Sequence, residues 1–212
     1  QFGLNNNRKY LVRSFRRMGL LPFGKKPTNE NIGFFQALMD RDKPLLYQYR
    51  IDQYIQQSKR LLIVLVNDSH SHTDLLIRQF RKPYLEGKFD SVLFYAHDFT
   101  RNINETMADW KTFFGKIEEE KDITLCGVFA EGLLERMILE QGGFEKYITQ
   151  LILLGTPHLG ISHFSGRWGN ALLGSFRAFR KFSTWIKGSP ELTNLNKNPD
   201  VKVPFLIVDY FD

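Results

Sequence analysis

The chain has 212 residues, 42% of them hydrophobic, a formal net charge of +6 and one cysteine. That length suits one domain of ordinary size, or one with an extension, and can bury a full core. No apolar run approaches the roughly 20 residues of a membrane-spanning helix. Cys126 on its own excludes an intrachain disulfide framework and a cysteine-based metal site, which fits a reducing compartment.

The basic excess is uneven. Arg8, Lys9, Arg13, Arg16 and Arg17 cluster at the start, and Arg167, Arg177, Arg180, Lys181 and Lys187 cluster toward the end. Such a balance suits an anionic partner, or simply a protein kept in solution by its charge. For nucleic acid, nothing beyond charge speaks. The first residue is Gln1 rather than Met, so a cleaved or omitted leading piece is expected, with an organelle-targeting peptide as one explanation. These features together point to an intracellular, mitochondrial setting.

In chain order, residues 1–58 read as an extension ahead of the main fold. A basic stretch over 9–18 places Leu11, Phe15 and Met18 at helix-like intervals and is broken by Gly and Pro over 19–27. Segments 29–39 and 45–57 read as helices or irregular packing. From Arg60 onward strands and helices alternate, which argues for α/β architecture with a mainly parallel sheet flanked by helices. Strands are expected at 61–66, 91–95, 123–126, 147–154 and 203–208. Helices are expected at 73–84, 103–120 and 131–141, and 162–200 is a long insertion.

Residues 125–136 read Leu-Cys-Gly-Val-Phe-Ala-Glu-Gly-Leu-Leu-Glu-Arg, the outline of a strand turning sharply into a helix. Gly127 to Arg136 resembles the Gly-His-Ser-x-Gly-Gly-Leu-x-x-Arg of the α/β-hydrolases, in their lipase and serine-esterase branch. Leu154-Gly155-Thr156-Pro157-His158-Leu159-Gly160 matches that family's Leu-Gly-Thr-Pro-His-x-Gly. Ser189-Pro190-Glu191-Leu192-Thr193-Asn194-Leu195-Asn196 is similar to its segment ahead of the next strand. The resemblance covers 60–212 and implies an α/β-hydrolase-like domain over 59–212, with 162–200 as a helical cap insertion.

The departures fall on the chemistry. The serine of the nucleophile elbow is replaced by Phe129, with Ala130 after it, and Phe has no atom that attacks a carbonyl. The family's oxyanion loop follows the strand at 61–66. Here Asn67-Asp68-Ser69 follows, placing a carboxylate where a developing anion needs donors. The resemblance puts the catalytic acid after the last strand, at Asp209 or Asp212, and the histidine beyond it, where the sequence has ended. The expectation is therefore a vestigial active site marked by Asn67, Asp68, Phe129, Ala130 and Asp212, with no catalytic residue.

Other readings compete. His70-Ser71-His72-Thr73-Asp74 begins like a metal site of metallo-β-lactamase-like hydrolases, but the motif's next histidine is Leu75, and a polar loop capping the following helix is the better reading. Glu131 could act as an acid or base; a carboxylate favoured by a helix N-terminus is preferred. His158 reads as a loop residue outside the triad, and Cys126 as a buried apolar residue. Neither a metal nor a cofactor is expected.

Trp168, Leu172, Phe176, Phe179, Phe182 and Ile186 recur at steps of three or four with basic residues between them, a basic aromatic amphipathic helix. It packs on the domain, contacts a protein partner or meets anionic lipid. Trp168, Phe176, Arg177, Phe179, Arg180 and Lys181 are the candidate interaction residues. The chain is accordingly expected to be an inactive, lipase-like subunit of a larger protein complex. The alternatives are an active lipase or esterase, or metal-dependent hydrolase, with displaced catalytic residues, and a non-catalytic lipid-binding protein.

Overall fold

The computed structural model describes residues 33–39, 45–47, 55–67, 73–97, 101–128, 130–156, 158, 190–197 and 203–208. Among these, seven strands form one sheet: β1 (Gly33–Leu38), β2 (Leu45–Tyr47), β3 (Arg60–Asn67), β4 (Ser91–His97), β5 (Asp122–Val128), β6 (Gln150–Leu154) and β7 (Phe205–Val208). Their order is β2-β1-β4-β3-β5-β6-β7. From β4 to β7 all neighbours are parallel, while β1 runs antiparallel to both β4 and β2.

Four helices cross between strands or follow them: α1 (Thr73–Leu85), α2 (Ile103–Phe114), α3 (Ala130–Gly142) and α4 (Pro190–Lys197). The central strands are buried on both faces, which is why β3 and β4 read as continuous apolar runs rather than alternating ones. Strand alternation then divides the core. Leu62, Val64 and Val66 of β3 join Ile77 of α1 on one face. Leu61, Ile63 and Leu65 pack with Trp110 of α2, Leu133 and Met137 of α3, and Leu192 and Leu195 of α4 on the other. Aromatic rings thicken this second layer: Phe34 stacks on Phe113 with centroids 4.3 Å apart, and Phe114 on Tyr147 at 4.9 Å.

This division positions the site. Strands β3 and β5 are neighbours, yet the chain leaves β3 for a helix on one face and β5 for a helix on the other. The chain therefore leaves their carboxyl ends toward opposite faces, a topological switch point of the kind at which open α/β sheets bind ligands.

Three expectations are corrected. Segments 33–38 and 45–47, read as helical or irregular, are strands. The expected N-terminal extension thus supplies two strands to the sheet, and the buried Lys121 amine ties residues 56 and 58 to the start of β5 through their carbonyls at 3.3 and 2.9 Å. The helix expected over 103–120 stops at Phe114. Its apolar stripe ends there, Gly115 caps it by donating to Lys111 O, and the amides of Lys116 and Ile117 fold back on Phe113 and Phe114. The strand expected from 147 begins at Gln150, because Tyr147 is held in a turn by the hydrogen bond its backbone N–H donates to Phe144 O.

Candidate functional site: a strand-to-helix elbow

Strand β5 ends at Val128 and α3 begins at Ala130, two positions later in the sequence. A turn this abrupt brings strand and helix backbones into contact, and two glycines permit it. A Cβ added at Gly127 would lie 2.6 Å from Gly132 N and 2.5 Å from Glu135 Oε2. At Gly132, a Cβ would fall onto the Thr156 side chain, 2.8 Å from its Cγ2. Gly127 and Gly132 thus let α3 sit directly against β5 and the end of β6.

The three stretches that carry the sequence resemblance converge at one guanidinium. Arg136 donates through Nη1 to Asn196 Oδ1 at 3.0 Å and through Nη2 to Leu195 O at 3.1 Å, while Nη1 lies 3.4 Å from His158 Nδ1. Asn196 Nδ2 in turn donates to His158 O at 2.8 Å, and Glu140 pairs with Arg136 at 3.4 Å. Helix α3, the segment after β6 and α4 are thereby clamped together. His158 acts as the expected loop residue, holding structure beside the elbow.

The acids of α3 depart from the sequence reading. Glu131 was expected to be a charged helix cap. It is buried, and loss of hydration pushes its carboxyl up to about 8, against the weaker pull of its own backbone amide. Desolvation outweighs the helix dipole here, so at neutral pH the group is mostly uncharged. Glu135, one turn later, is fully buried, no side chain among the described residues pairs with its carboxyl, and its one favourable polar neighbour is the Gly127 backbone. Burial holds this carboxyl well above its usual range, although the Gly127 backbone favours the charged form. Sequence reasoning passed over Glu135, yet a signal was present: it lies on the apolar stripe of Leu134 and Ile138.

Other reactive groups are sealed. The Cys126 thiol is buried as expected and raised, first by burial and then by the neighbouring Glu135. His97 closes β4 opposite Asn67 of β3. It is 1% exposed, lies 3.5 Å from the Thr106 hydroxyl, and is lowered to about 3 by burial and the Arg101 charge, so its ring stays neutral.

Of the expected vestigial residues, Asn67 ends β3 and Ala130 opens α3, the helix that follows the neighbouring strand β5. Asp68, Phe129 and Asp212 lie outside the described residues, as do His70, His72 and Asp209. The interaction candidates Trp168, Phe176, Arg177, Phe179, Arg180 and Lys181 lie outside them too. Among the described residues no group of three or more His, Cys, Asp or Glu side chains is arranged to hold a metal ion, and no helix is long and apolar enough to cross a membrane.

Among solved structures, the chain is similar to the phospholipase PlaB from Legionella pneumophila, with a TM-score of 0.51 and 16% identity over 69% of this chain and 38% of that one. The fold is that of the α/β-hydrolases. The Bacillus licheniformis lipase BlEst2 in mature form aligns with a TM-score of 0.46 and 15% identity over 71% of this chain and 64% of its own length. Aspergillus fumigatus lipase B aligns at 0.48 and 12% over 70% of this chain and 36% of its own. The chain therefore spans less than two thirds of these proteins' lengths. No protein-family model and no curated protein matches the sequence.

Proposed function

We propose that this chain is a catalytically inactive, lipase-like domain that serves as a structural or interaction subunit of a larger protein assembly. One observation carries the reading: in the sequence, Phe129 lies between the end of β5 and the start of α3, at the position the family motif gives to its nucleophilic serine. A hydrolase of this fold needs an oxygen or sulfur nucleophile at that position, activated by a base. Two further features agree. Glu131 stands where the family motif has glycine, and Asp68 follows the strand whose loop should supply oxyanion donors.

The assembly role rests on charge and pattern. The net charge of +6 is gathered into two clusters, and the basic aromatic stretch containing Trp168, Phe176, Arg177, Phe179, Arg180 and Lys181 has the composition of an interface. A mitochondrial complex, with contact to anionic lipid, fits that charge. Turnover of short-chain p-nitrophenyl esters tests the catalytic half: rates at the buffer background are expected, and a saturable rate that scales with protein concentration would overturn it. For the assembly half, native protein should elute with other subunits, and charge reversal at Arg177, Arg180 and Lys181 should weaken that association with the circular dichroism unchanged. Elution of the native protein as a lone monomer would contradict it.

A further inference from the structure

The elbow contains an arrangement that neither the fold nor the lost chemistry requires. Two acids, Glu131 and Glu135, lie one turn apart on the same helix, at 7% and 0% exposure. Glu135 is pressed against the backbone at Gly127, the point where strand and helix touch. Its two oxygens meet no side-chain partner among the described residues and only the Gly127 backbone, and the Thr156 hydroxyl that abuts Gly132 is buried without a hydrogen-bond partner among them. A lone charge in such surroundings costs far more than a neutral carboxyl, so the closed elbow selects the protonated acid.

We propose that the β5–α3 elbow is a pH-sensitive clasp, held closed while Glu135 and Glu131 are protonated and loosened as they ionise. Among the described residues, the elements packed on α3 offer no charge that would hold the ionised acids in place. Strand β3 presents Leu61, Ile63 and Leu65, and α2 presents Met107, Trp110 and Phe114. Helix α4 contributes Leu192, Leu195 and the Asn196 amide, and the end of β6 contributes the Thr156 hydroxyl. Strand β5 contributes the Gly127 backbone, whose pull toward the ionised Glu135 is weaker than the push of burial, and the Cys126 thiol, which is itself destabilised as an anion by Glu135. On α3 the only cation is Arg136, and its guanidinium is committed to Glu140, Asn196 and Leu195 O and faces His158.

The sign follows from proton counting. The closed elbow retains protons that an opened, hydrated elbow would release, so closure is complete below the ordinary carboxyl value of 4.5 and is lost as pH rises, for Glu131 toward about 8. Within that window each acid raises the opening constant by about tenfold per pH unit.

Cys126, the only cysteine and the neighbour of Gly127, reports on the clasp. Its labelling rate by a pyridyl disulfide, divided by the rate for the same chain unfolded in denaturant at the same pH, cancels the thiol's own ionisation. Protection should fall by at least about tenfold per unit between about pH 5 and 8, with the circular dichroism unchanged. Glu135→Gln keeps the side-chain shape but removes its proton, and should flatten the slope by about tenfold per unit; Glu131→Gln should do the same on its own. A purely structural role would lower protection in the variants equally at every pH. Protection independent of pH in the native chain, or full slopes retained in both variants, would overturn the proposal. The outcome is independent of whether the chain hydrolyses esters.

Discussion

Gly127 and Gly132 hold the elbow shut by lacking side chains. Gly132→Ala is expected to destabilise the chain by about 1–3 kcal/mol, because the new methyl must displace Thr156, which is itself buried. Gly127→Ala should cost a similar amount through contact with Gly132 and Glu135. Urea denaturation measures both, and midpoints equal to that of the parent would show that the contact is loose. At this scale the sequence was partly legible. The glycine spacing is visible in the letters because close backbone approach admits few residues. The state of Glu131 is not, because the sign of its shift depends on desolvation by residues distant in sequence, and a helix N-terminus considered by itself favours the opposite charge state.

Among elements, the decisive connection is Arg136, which joins α3 to α4 across the segment after β6. Arg136→Ala leaves Leu195 O and Asn196 Oδ1 without that donor. Hydrogen bonds to charged groups contribute roughly 1.5–3 kcal/mol, so amide hydrogen exchange over 190–197 should quicken while the exchange of β3 and β4 stays unchanged. Equal protection of 190–197 in variant and parent would show that α4 is held by Leu192 and Leu195 alone. The parallel strands from β3 onward were legible because each is a short apolar run, and β3, β4 and β5 are each followed closely by a helix. Strand β1 was not. Phe34 packs toward one face while Phe35 and Ala37 are buried in the other, which leaves no period of two to read, and its main partner β4 lies more than fifty residues away in sequence.

At the scale of the whole molecule, opposed buried groups shape the response to pH. Glu131 is raised to about 8, so its contribution is complete below 4.5 and is lost as pH climbs to about 8, with Glu135 adding loss in the same direction. His97 is lowered from 6.5 to about 3, so its contribution is present above 6.5 and is lost as pH falls toward 3. Each group changes the unfolding free energy by about 1.4 kcal/mol per pH unit within its window. Both acids oppose the histidine as pH rises from 4.5, and above 6.5 the loss at Glu131 continues unopposed toward about 8. Stability should therefore be greatest on the acidic side of neutrality, far from the sequence pI of 9.4. Urea midpoints at about pH 5, 7 and 9 should fall in that order; a maximum at about pH 9 would contradict the buried-acid account.

The proposed inactivity rests on Phe129 standing, in the sequence, where the α/β-hydrolase motif has its nucleophilic serine. Intact-mass spectrometry after incubation with a fluorophosphonate probe tests it most directly, because the probe marks an activated serine whether or not its natural substrate is known. The native chain should keep its unmodified mass under conditions that fully label a serine esterase, and Phe129→Ser should stay unlabelled as well, since one hydroxyl does not supply a base or oxyanion donors. A stoichiometric adduct on any serine of the native chain would contradict the account and place a working nucleophile elsewhere in the molecule.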